Sequence, residues 1–152
     1  MSGYQLAQLN VARLRHPLDD ERTSEFVDAL DPINALAEAS PGFVWRLTDE
    51  SGQSSSYVDV SDDPLFIINL SVWESPEHLR AFVYRTDHRD FLRRKAEWFR
   101  PHQRPFAVCW WVPTGHRPDE HEAMTRLDRL ERDGPSDDVF PFRPPFPPPP
   151  GE

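Results

Sequence analysis

Cysteine and glycine are both scarce in this sequence. Cys109 is the single cysteine among 152 residues, so no disulfide can form within the chain, and a cytoplasmic location is expected. The six glycines form no phosphate-binding loop, and the motifs G-x-S-x-G and C-x-x-C do not occur. The sequence therefore gives no support for a flavin or nicotinamide cofactor, and we expect the protein to work without a cofactor.

Basic charge and long apolar runs are also lacking. Lysine and arginine total 17 against 26 aspartates and glutamates, which gives a formal net charge of −9. Nucleic acids and anionic membrane surfaces both require a basic protein surface, so neither is an expected partner. No stretch approaches the roughly 18 apolar residues of a membrane-spanning helix, and the N-terminus shows no signal-peptide pattern.

Proline, in contrast, is abundant at the end of the chain. Residues 135–152 hold eight of the 17 prolines, in a segment that ends in "FRPPFPPPPGE". Such a composition favours polyproline II or an unstructured end, and the segment could dock on a partner. We therefore predict one folded domain over residues 1–134 and an extended, proline-rich tail over residues 135–152.

Hydrophobic periodicity predicts four strands and three helices in the folded part. Alternation of apolar and polar residues marks strands at 4–11, 43–48, 65–75 and 104–113, and helices are expected from about residues 20, 76 and 118. The order β, α, β, β, α, β is typical of the split βαβ, ferredoxin-like layout. We therefore predict an α+β fold with an antiparallel sheet, helices on one face, and an additional C-terminal helix.

Each predicted strand has one apolar face and one mixed face. The mixed faces combine polar, aromatic and apolar side chains, namely Tyr4, Leu6, Gln8, Asn10, Arg46, Asn69, Ser71 and Trp73. If the helices cover the apolar face, the mixed face must meet water or a second molecule. Two such sheets stacked across a twofold axis would form a homodimer with an amide-lined cavity, which is the expected site for a small-molecule ligand.

One stretch carries a resemblance to known proteins. The segment "INLSVWESPEHLRAFVYRTDHRDFL" resembles the dimeric α/β-barrel superfamily, which includes antibiotic-biosynthesis monooxygenase-type proteins and haem-handling relatives. With "GFVWRL", "EWF" and "WWVPTGHRPDEHEA", the likeness extends from Tyr4 to Arg132 and is similar to a bacterial family known only as a domain of unknown function. The resemblance implies a ferredoxin-like fold that pairs as a dimeric barrel, but this fold supports many activities.

Three residues are the candidates for catalysis. Asn10 and Asn69 carry amides that would stabilise oxyanion charge if an aromatic or polyketide-like substrate reacted with oxygen without a cofactor. His88, in "VYRTDHRDFLRR", turns toward the apolar side of a predicted helix and could act as a general base. The alternative for His88 is a hydrogen bond at a helix junction, and an isomerase or cyclase reaction is also compatible with the set.

Five further residues are predicted to bind the substrate, namely Trp73, Arg46, Tyr84, Gln8 and Ser71. Buried amides and guanidinium groups need hydrogen-bond partners, which a ligand, water or a cross-dimer contact could supply. Trp73 belongs to the W-E-S segment of the resemblance and could equally be plain core. Tyr84 precedes His88 by one helical turn and could share its face.

Two other functions stay open from the sequence. A haem-binding relative would use His88 or another cavity histidine as the iron ligand, and a non-catalytic ligand sensor would use the tail to contact its partner. A metal site is not expected, because His116, Glu120 and His121 match no zinc spacing and read as a solvated helix start.

Overall fold

The computed structural model describes residues 3–48, 65–85, 98–100 and 107–141. Within these ranges, four strands and three α-helices follow one another. In chain order they are β1 (Tyr4–Arg13), α1 (Ser24–Glu38), β2 (Phe43–Arg46), β3 (Phe66–Trp73), α2 (Pro76–Arg85), β4 (Ala107–Pro113) and α3 (Glu120–Asp133). A single 3-10 turn, Glu21–Thr23, leads into α1. None of the described helices has the length and apolar character that a membrane crossing needs.

The four strands form one antiparallel sheet in the order β2-β3-β1-β4. With one helix between β1 and β2 and another between β3 and β4, this is the ferredoxin-like arrangement, and the predicted fold class is confirmed. The two central strands are β1 and β3, which pair over the full length of β3, from Leu6 opposite Trp73 to Arg13 opposite Phe66.

Capping residues begin α2 and α3, and a glycine ends α3. Ser75 Oγ accepts a hydrogen bond from the His78 N–H at 3.2 Å before α2, and Asp119 Oδ1 accepts from the Glu122 N–H at 2.8 Å before α3. Gly134, with φ +79°, ends α3 and donates its N–H to Leu130. Helix α1 runs as one segment through Pro32, whose side chain is exposed.

The wholly apolar face of the sheet is covered by α3. Side chains of β1, β3 and β4 on this face pack against one stripe of that helix and against Val139; the sheet residues are Ala7, Leu9, Val11, Ile68, Leu70, Val72, Val108, Trp110 and Val112. The stripe consists of Ala123, Leu127 and Leu130, all of them buried. The C-terminal helix therefore closes the face on which the sequence analysis expected the other two helices.

Helices α1 and α2 cover the mixed face instead. Leu6 and Trp73 of the sheet pack with Ala37 of α1 and Leu79 of α2, and Ile67 packs with Phe26 of α1 further along. The prediction that the mixed faces meet across a dimer is therefore wrong. Strand alternation shows which residues share a face, but it does not show which face a helix will cover.

A bulge in β2 changes the faces of its residues. Phe43 pairs with Trp73, but the register then shifts, so that Trp45 pairs with Val72 and Arg46 with Ser71. Phe43 and Arg46 consequently lie on the mixed face with Ser71 and Trp73, and Trp45 lies on the apolar face. Simple alternation would place Phe43 and Trp45 on one face, but the extra residue of a bulge reverses the sequence of faces.

The C-terminal segment pairs with the outer edge of β4. The Cys109 N–H donates to the Phe140 carbonyl at 2.7 Å, and the Phe140 N–H donates back to Cys109 at 3.0 Å. Val139 and Phe140 are fully buried. The folded unit thus includes residues after the predicted boundary at 134, at least as far as Phe140. Residues 142–152 of the predicted tail lie outside the described residues.

Candidate functional site

A cavity lies between the mixed face of the sheet and helices α1 and α2. Its volume is about 100 Å³, and it is lined by Gln8, Asn10, Ile33, Asn34, Ala37, Phe43, Arg46, Asn69, Ser71, Trp73, Leu79, Phe82 and Val83. A space of this size holds several water molecules or one small ring. One side of the lining is rich in amides, and the other is aromatic and aliphatic.

Side chains of β1 and β3 form a hydrogen-bonded network at the floor of the cavity. Gln8 Nε2 donates to Asn69 Oδ1 at 2.8 Å and to Ser71 Oγ at 2.7 Å. Asn10 Nδ2 donates to Gln8 Oε1 at 3.1 Å. The pairing of Gln8 with Ser71 and of Asn10 with Asn69 across the strands brings these groups together. Neighbours in an antiparallel ladder are close enough for such contacts.

Three aromatic rings form the wall beside this floor. The Trp73 ring stacks on Phe82 of α2, with centroids 5.1 Å apart, and meets Phe43 edge to face at 5.4 Å. Trp73 is only 1% exposed, and its indole Nε1 donates to Ser71 Oγ at 2.9 Å. Of the two alternatives for this residue, packing and cavity wall, the structure shows both at once.

Helix α1 contributes a polar residue that the sequence analysis did not identify. Asn34 is 8% exposed and lines the cavity, and its Nδ2 is buried without a hydrogen-bond partner among the described residues. With Asn10 and Asn69, all three asparagines of the chain therefore line the same cavity. The feature of the sequence that could have identified Asn34 is its position between Ile33 and Ala37, inside the apolar stripe of a helix.

Arg46 is the only charged residue of the described lining. Its Nε donates to Glu38 Oε2 at 3.2 Å, and the Arg46 side chain is 14% exposed while that of Glu38 is 50% exposed. The carboxylate thus lies on the solvent side of the guanidinium. No acidic side chain lines the cavity among the described residues, although the protein as a whole is acidic.

Six of the eight predicted site residues meet at this cavity, namely Gln8, Asn10, Arg46, Asn69, Ser71 and Trp73. They meet inside one chain, between sheet and helices, whereas the sequence analysis expected them between two chains. Tyr84 falls within α2, but its side chain is not among those described. His88 lies outside the described residues, so its role as a base or ligand stays a prediction.

Two other chemical groups lie away from the cavity lining. Glu122 bridges the Trp110 indole, at 3.0 Å, and His116 Nε2, at 2.7 Å, on the α3 side of the sheet. In the described part of the chain, no three histidine, cysteine, aspartate or glutamate side chains are grouped so that they could hold a metal ion. Burial raises the pKa of the Cys109 thiol to about 12, so this thiol is neutral and a poor nucleophile near pH 7.

Comparison with known proteins gives a family and a set of distant structures. The sequence profile of the family described as "Domain of unknown function (DUF3291)" matches residues 5–152, as the resemblance in the sequence implied. A comparison with curated proteins found no significant match.

Three solved structures are similar to this chain, each over 76% of its length. One is a putative antibiotic biosynthesis monooxygenase from Nitrosomonas europaea (11% identity, 94% of that chain, TM-score 0.48). Another is PA3566 from Pseudomonas aeruginosa (9% identity, 99% of that chain, TM-score 0.49). The third is SnoaB, a cofactor-independent oxygenase from Streptomyces nogalater (14% identity, 98% of that chain, TM-score 0.41). Likenesses of this strength carry no information about activity.

Proposed function

Since the chain belongs to the DUF3291 family, whose description assigns no activity, we propose a function from the cavity itself: the protein binds a small, ring-containing molecule between its sheet and helices α1 and α2. The observation that carries this proposal is the amide network of Gln8, Asn10 and Asn69 at the floor of a cavity walled by aromatic rings. Gln8 is buried and Asn69 is half-buried. An enclosed polar group reduces stability unless it has partners, and a ligand would provide those that the network itself leaves unmet.

The dimensions and lining limit what the ligand can be. Sites for drug-sized ligands enclose roughly 300–1,000 Å³, whereas this cavity encloses about 100 Å³. The ligand, or the part of it that enters, is therefore about the size of one ring. The rings of Phe43, Trp73 and Phe82 provide a surface on which an aromatic ring stacks, and the amides provide hydrogen bonds to its substituents.

A cofactor-free oxygenation, or an isomerisation or cyclisation, of an aromatic or polyketide-like substrate is the catalytic extension of this proposal. Amide donors fixed in a partly enclosed cavity stabilise negative charge that develops on a substrate. A substrate bound as an anion would itself supply the electrons to oxygen. The described lining contains no histidine, aspartate or glutamate that could remove a proton, so the substrate would arrive as an anion or depend on His88.

The described residues do not fit a haem group. No histidine is among the described lining residues, and a cavity of about 100 Å³ is far smaller than a tetrapyrrole requires.

A non-catalytic ligand sensor would use the same cavity without turnover, and this alternative differs from an enzyme only in whether the bound molecule is converted.

A homodimer remains part of the proposal, through a different surface from the one first expected. Trp45, Leu47 and Phe66 are partly buried hydrophobic residues on the face that α3 covers, and they adjoin its buried core. Their exposed parts would offer apolar contacts to a second copy. A Trp45→Glu variant that remains dimeric in light scattering would exclude this surface.

Native mass spectrometry of protein purified from its host tests the binding proposal. We expect a retained small molecule that is lost from a Gln8→Leu variant. A Gln5→Leu variant is the matched control, because Gln5 is on the same strand, five residues before Asn10, and does not line the cavity. Retention by Gln8→Leu, or equal loss from both variants, would contradict binding in this cavity.

A further inference from the structure

The buried side-chain amide of Asn34 bears on the chemistry of the ligand. Its Nδ2 is buried at the cavity without a hydrogen-bond partner among the described residues. A buried donor that lacks a partner destabilises the fold, so its persistence needs an explanation. A hydrogen-bond acceptor on a bound molecule is the simplest one.

The floor network also leaves donors facing the ligand. Gln8 Oε1 accepts from Asn10, and Asn69 Oδ1 accepts from Gln8. Ser71 Oγ accepts from both Gln8 and Trp73. Three acceptor atoms of the floor, Gln8 Oε1, Asn69 Oδ1 and Ser71 Oγ, are therefore engaged within the protein. The amide nitrogen of Asn69 and the hydroxyl hydrogen of Ser71 are the groups suited to a ligand, and both are donors.

The charge at the cavity also favours an anionic ligand. Arg46 is the only charged residue of the described lining, and Glu38, which it binds, is half exposed. Asn34 and Glu38 are four residues apart on α1, which is about 6 Å along the helix axis. The unpartnered amide thus lies within about one turn of the Arg46–Glu38 pair, at a cavity whose described lining has no acidic side chain.

From these observations we infer that the ligand is a small aromatic or alicyclic carboxylate, and that Asn34 determines this preference by donating its Nδ2–H to a carboxylate oxygen. The inference rests on the proposed function, since it describes the ligand of the same cavity. A carboxylate offers two oxygens and about four acceptor positions, enough for donors from both α1 and the sheet. The ring then lies against Phe43, Trp73 and Phe82.

Three probes with the same ring separate the chemical classes: benzoate, benzamide and benzylamine. We expect wild-type protein to bind benzoate at least about tenfold more tightly than benzamide, and benzylamine most weakly, in calorimetric titrations. An affinity for benzamide or benzylamine that equals the affinity for benzoate would overturn the carboxylate preference. Binding by any of the three that Gln8→Leu abolishes would still support the cavity as a site.

Variants of Asn34 test its role as the discriminating donor. We expect Asn34→Leu to lower benzoate affinity about 10- to 100-fold while raising the melting temperature, because it removes the unpartnered donor. Asn34→Asp should abolish benzoate binding by placing a carboxylate against a carboxylate, and Gln5→Leu should bind as the wild type does. Unchanged benzoate affinity in Asn34→Leu would overturn the assignment, whether or not the melting temperature changes.

The two proposals fail in different ways. A neutral or basic compound retained from the host and lost from Gln8→Leu would overturn the carboxylate inference and leave the binding function standing. Absence of binding by all three probes, together with no retained compound, would overturn both. If Asn34→Leu does not fold, Asn34→Ala gives the same comparison with a smaller side chain.

Discussion

Gln8 and Ser71 are direct partners on the two central strands, and Gln8 Nε2 donates a hydrogen bond of 2.7 Å to Ser71 Oγ. Both residues are buried, and both lie under helices α1 and α2, at a position where most sheets carry apolar side chains. The pair marks the point at which this fold departs from a simple hydrophobic core, and the cavity lies above it.

Replacing Trp73 by alanine should lower the free energy of unfolding by about 3–5 kcal/mol, because the ring is fully buried between Phe43 and Phe82. Chemical denaturation measures the change. Trp73→Phe is the matched control, since it keeps an aromatic ring and loses the hydrogen bond to Ser71. A near-neutral Trp73→Ala variant would show that the indole does not contribute to the core.

Asn69→Leu should leave folding intact and weaken ligand binding. Gln8 Nε2 would lose one acceptor but keep Ser71, so the expected loss of stability is about 1 kcal/mol. The affinity for the retained ligand, or for benzoate, should fall about tenfold, as measured by titration calorimetry. Unchanged affinity would remove Asn69 from the site.

Gly42 and Gly115 should respond very differently to alanine. Both have positive φ, +81° and +94°, but a Cβ on Gly42 would clash with the side chain of His78, whereas nothing lies within 4 Å of one on Gly115. Gly115→Ala should therefore cost about 1–2 kcal/mol, from the backbone conformation alone. Gly42→Ala should cost about 3 kcal/mol or more, because the clash adds to it. Equal losses in thermal denaturation would contradict the close approach of His78.

The Cys109 thiol should make stability depend on pH in the alkaline range. Burial raises its pKa from the ordinary value of 9.0 to about 12, so between pH 9 and pH 12 the unfolded chain loses the proton and the folded chain keeps it. The stability from this group is complete below pH 9 and is lost as the pH rises toward 12.

Between pH 8 and pH 10.5, wild-type protein should therefore lose about 2 kcal/mol more stability than Cys109→Ala, in denaturant titrations at each pH. The variant controls for every other ionisable group, because those groups are the same in both proteins. Parallel stability curves for the two proteins would show that the thiol is not buried in the way described.

The fold was largely predictable because its signals are local. The alternation in β1 and β3, the cap at Ser75 and the terminating Gly134 depend on residues within a few positions of one another. The faces of β2 were not predictable, because a bulge near Val44 shifts the register and leaves no clear mark in the sequence.

The members of the site were easier to predict than its location. Alternation placed Gln8, Asn10, Asn69, Ser71 and Trp73 on one face, and the structure has them there. The face that α1 and α2 cover depends on how the described helices compete for the sheet, a long-range property. Helix α3 packs its apolar stripe on the apolar face, and α1 and α2 pack on the mixed face. Because α1 also has an apolar stripe, the helix patterns alone do not assign the faces.

Asn34 was missed for a related reason. In the sequence it interrupts the apolar stripe of a helix between Ile33 and Ala37. A helix is predicted from the apolar members of such a stripe, so a polar residue among them is passed over. Its meaning depends on what lies opposite in the fold, which is the amide floor of the cavity. Only the fold shows that Asn34 lines the same cavity as the amides of Asn10 and Asn69.

The most direct test of the account is a titration followed by the indole N–H resonances in NMR. Trp73 Nε1 lies at the cavity and donates to Ser71, whereas Trp110 Nε1 lies on the opposite face of the sheet and donates to Glu122. With benzoate as the probe, and Trp73→Phe to assign the signal, we predict that the Trp73 resonance shifts to saturation and that of Trp110 does not move. A shift at Trp110 with Trp73 unmoved, or no shift at either indole up to the solubility limit of benzoate, would contradict the account.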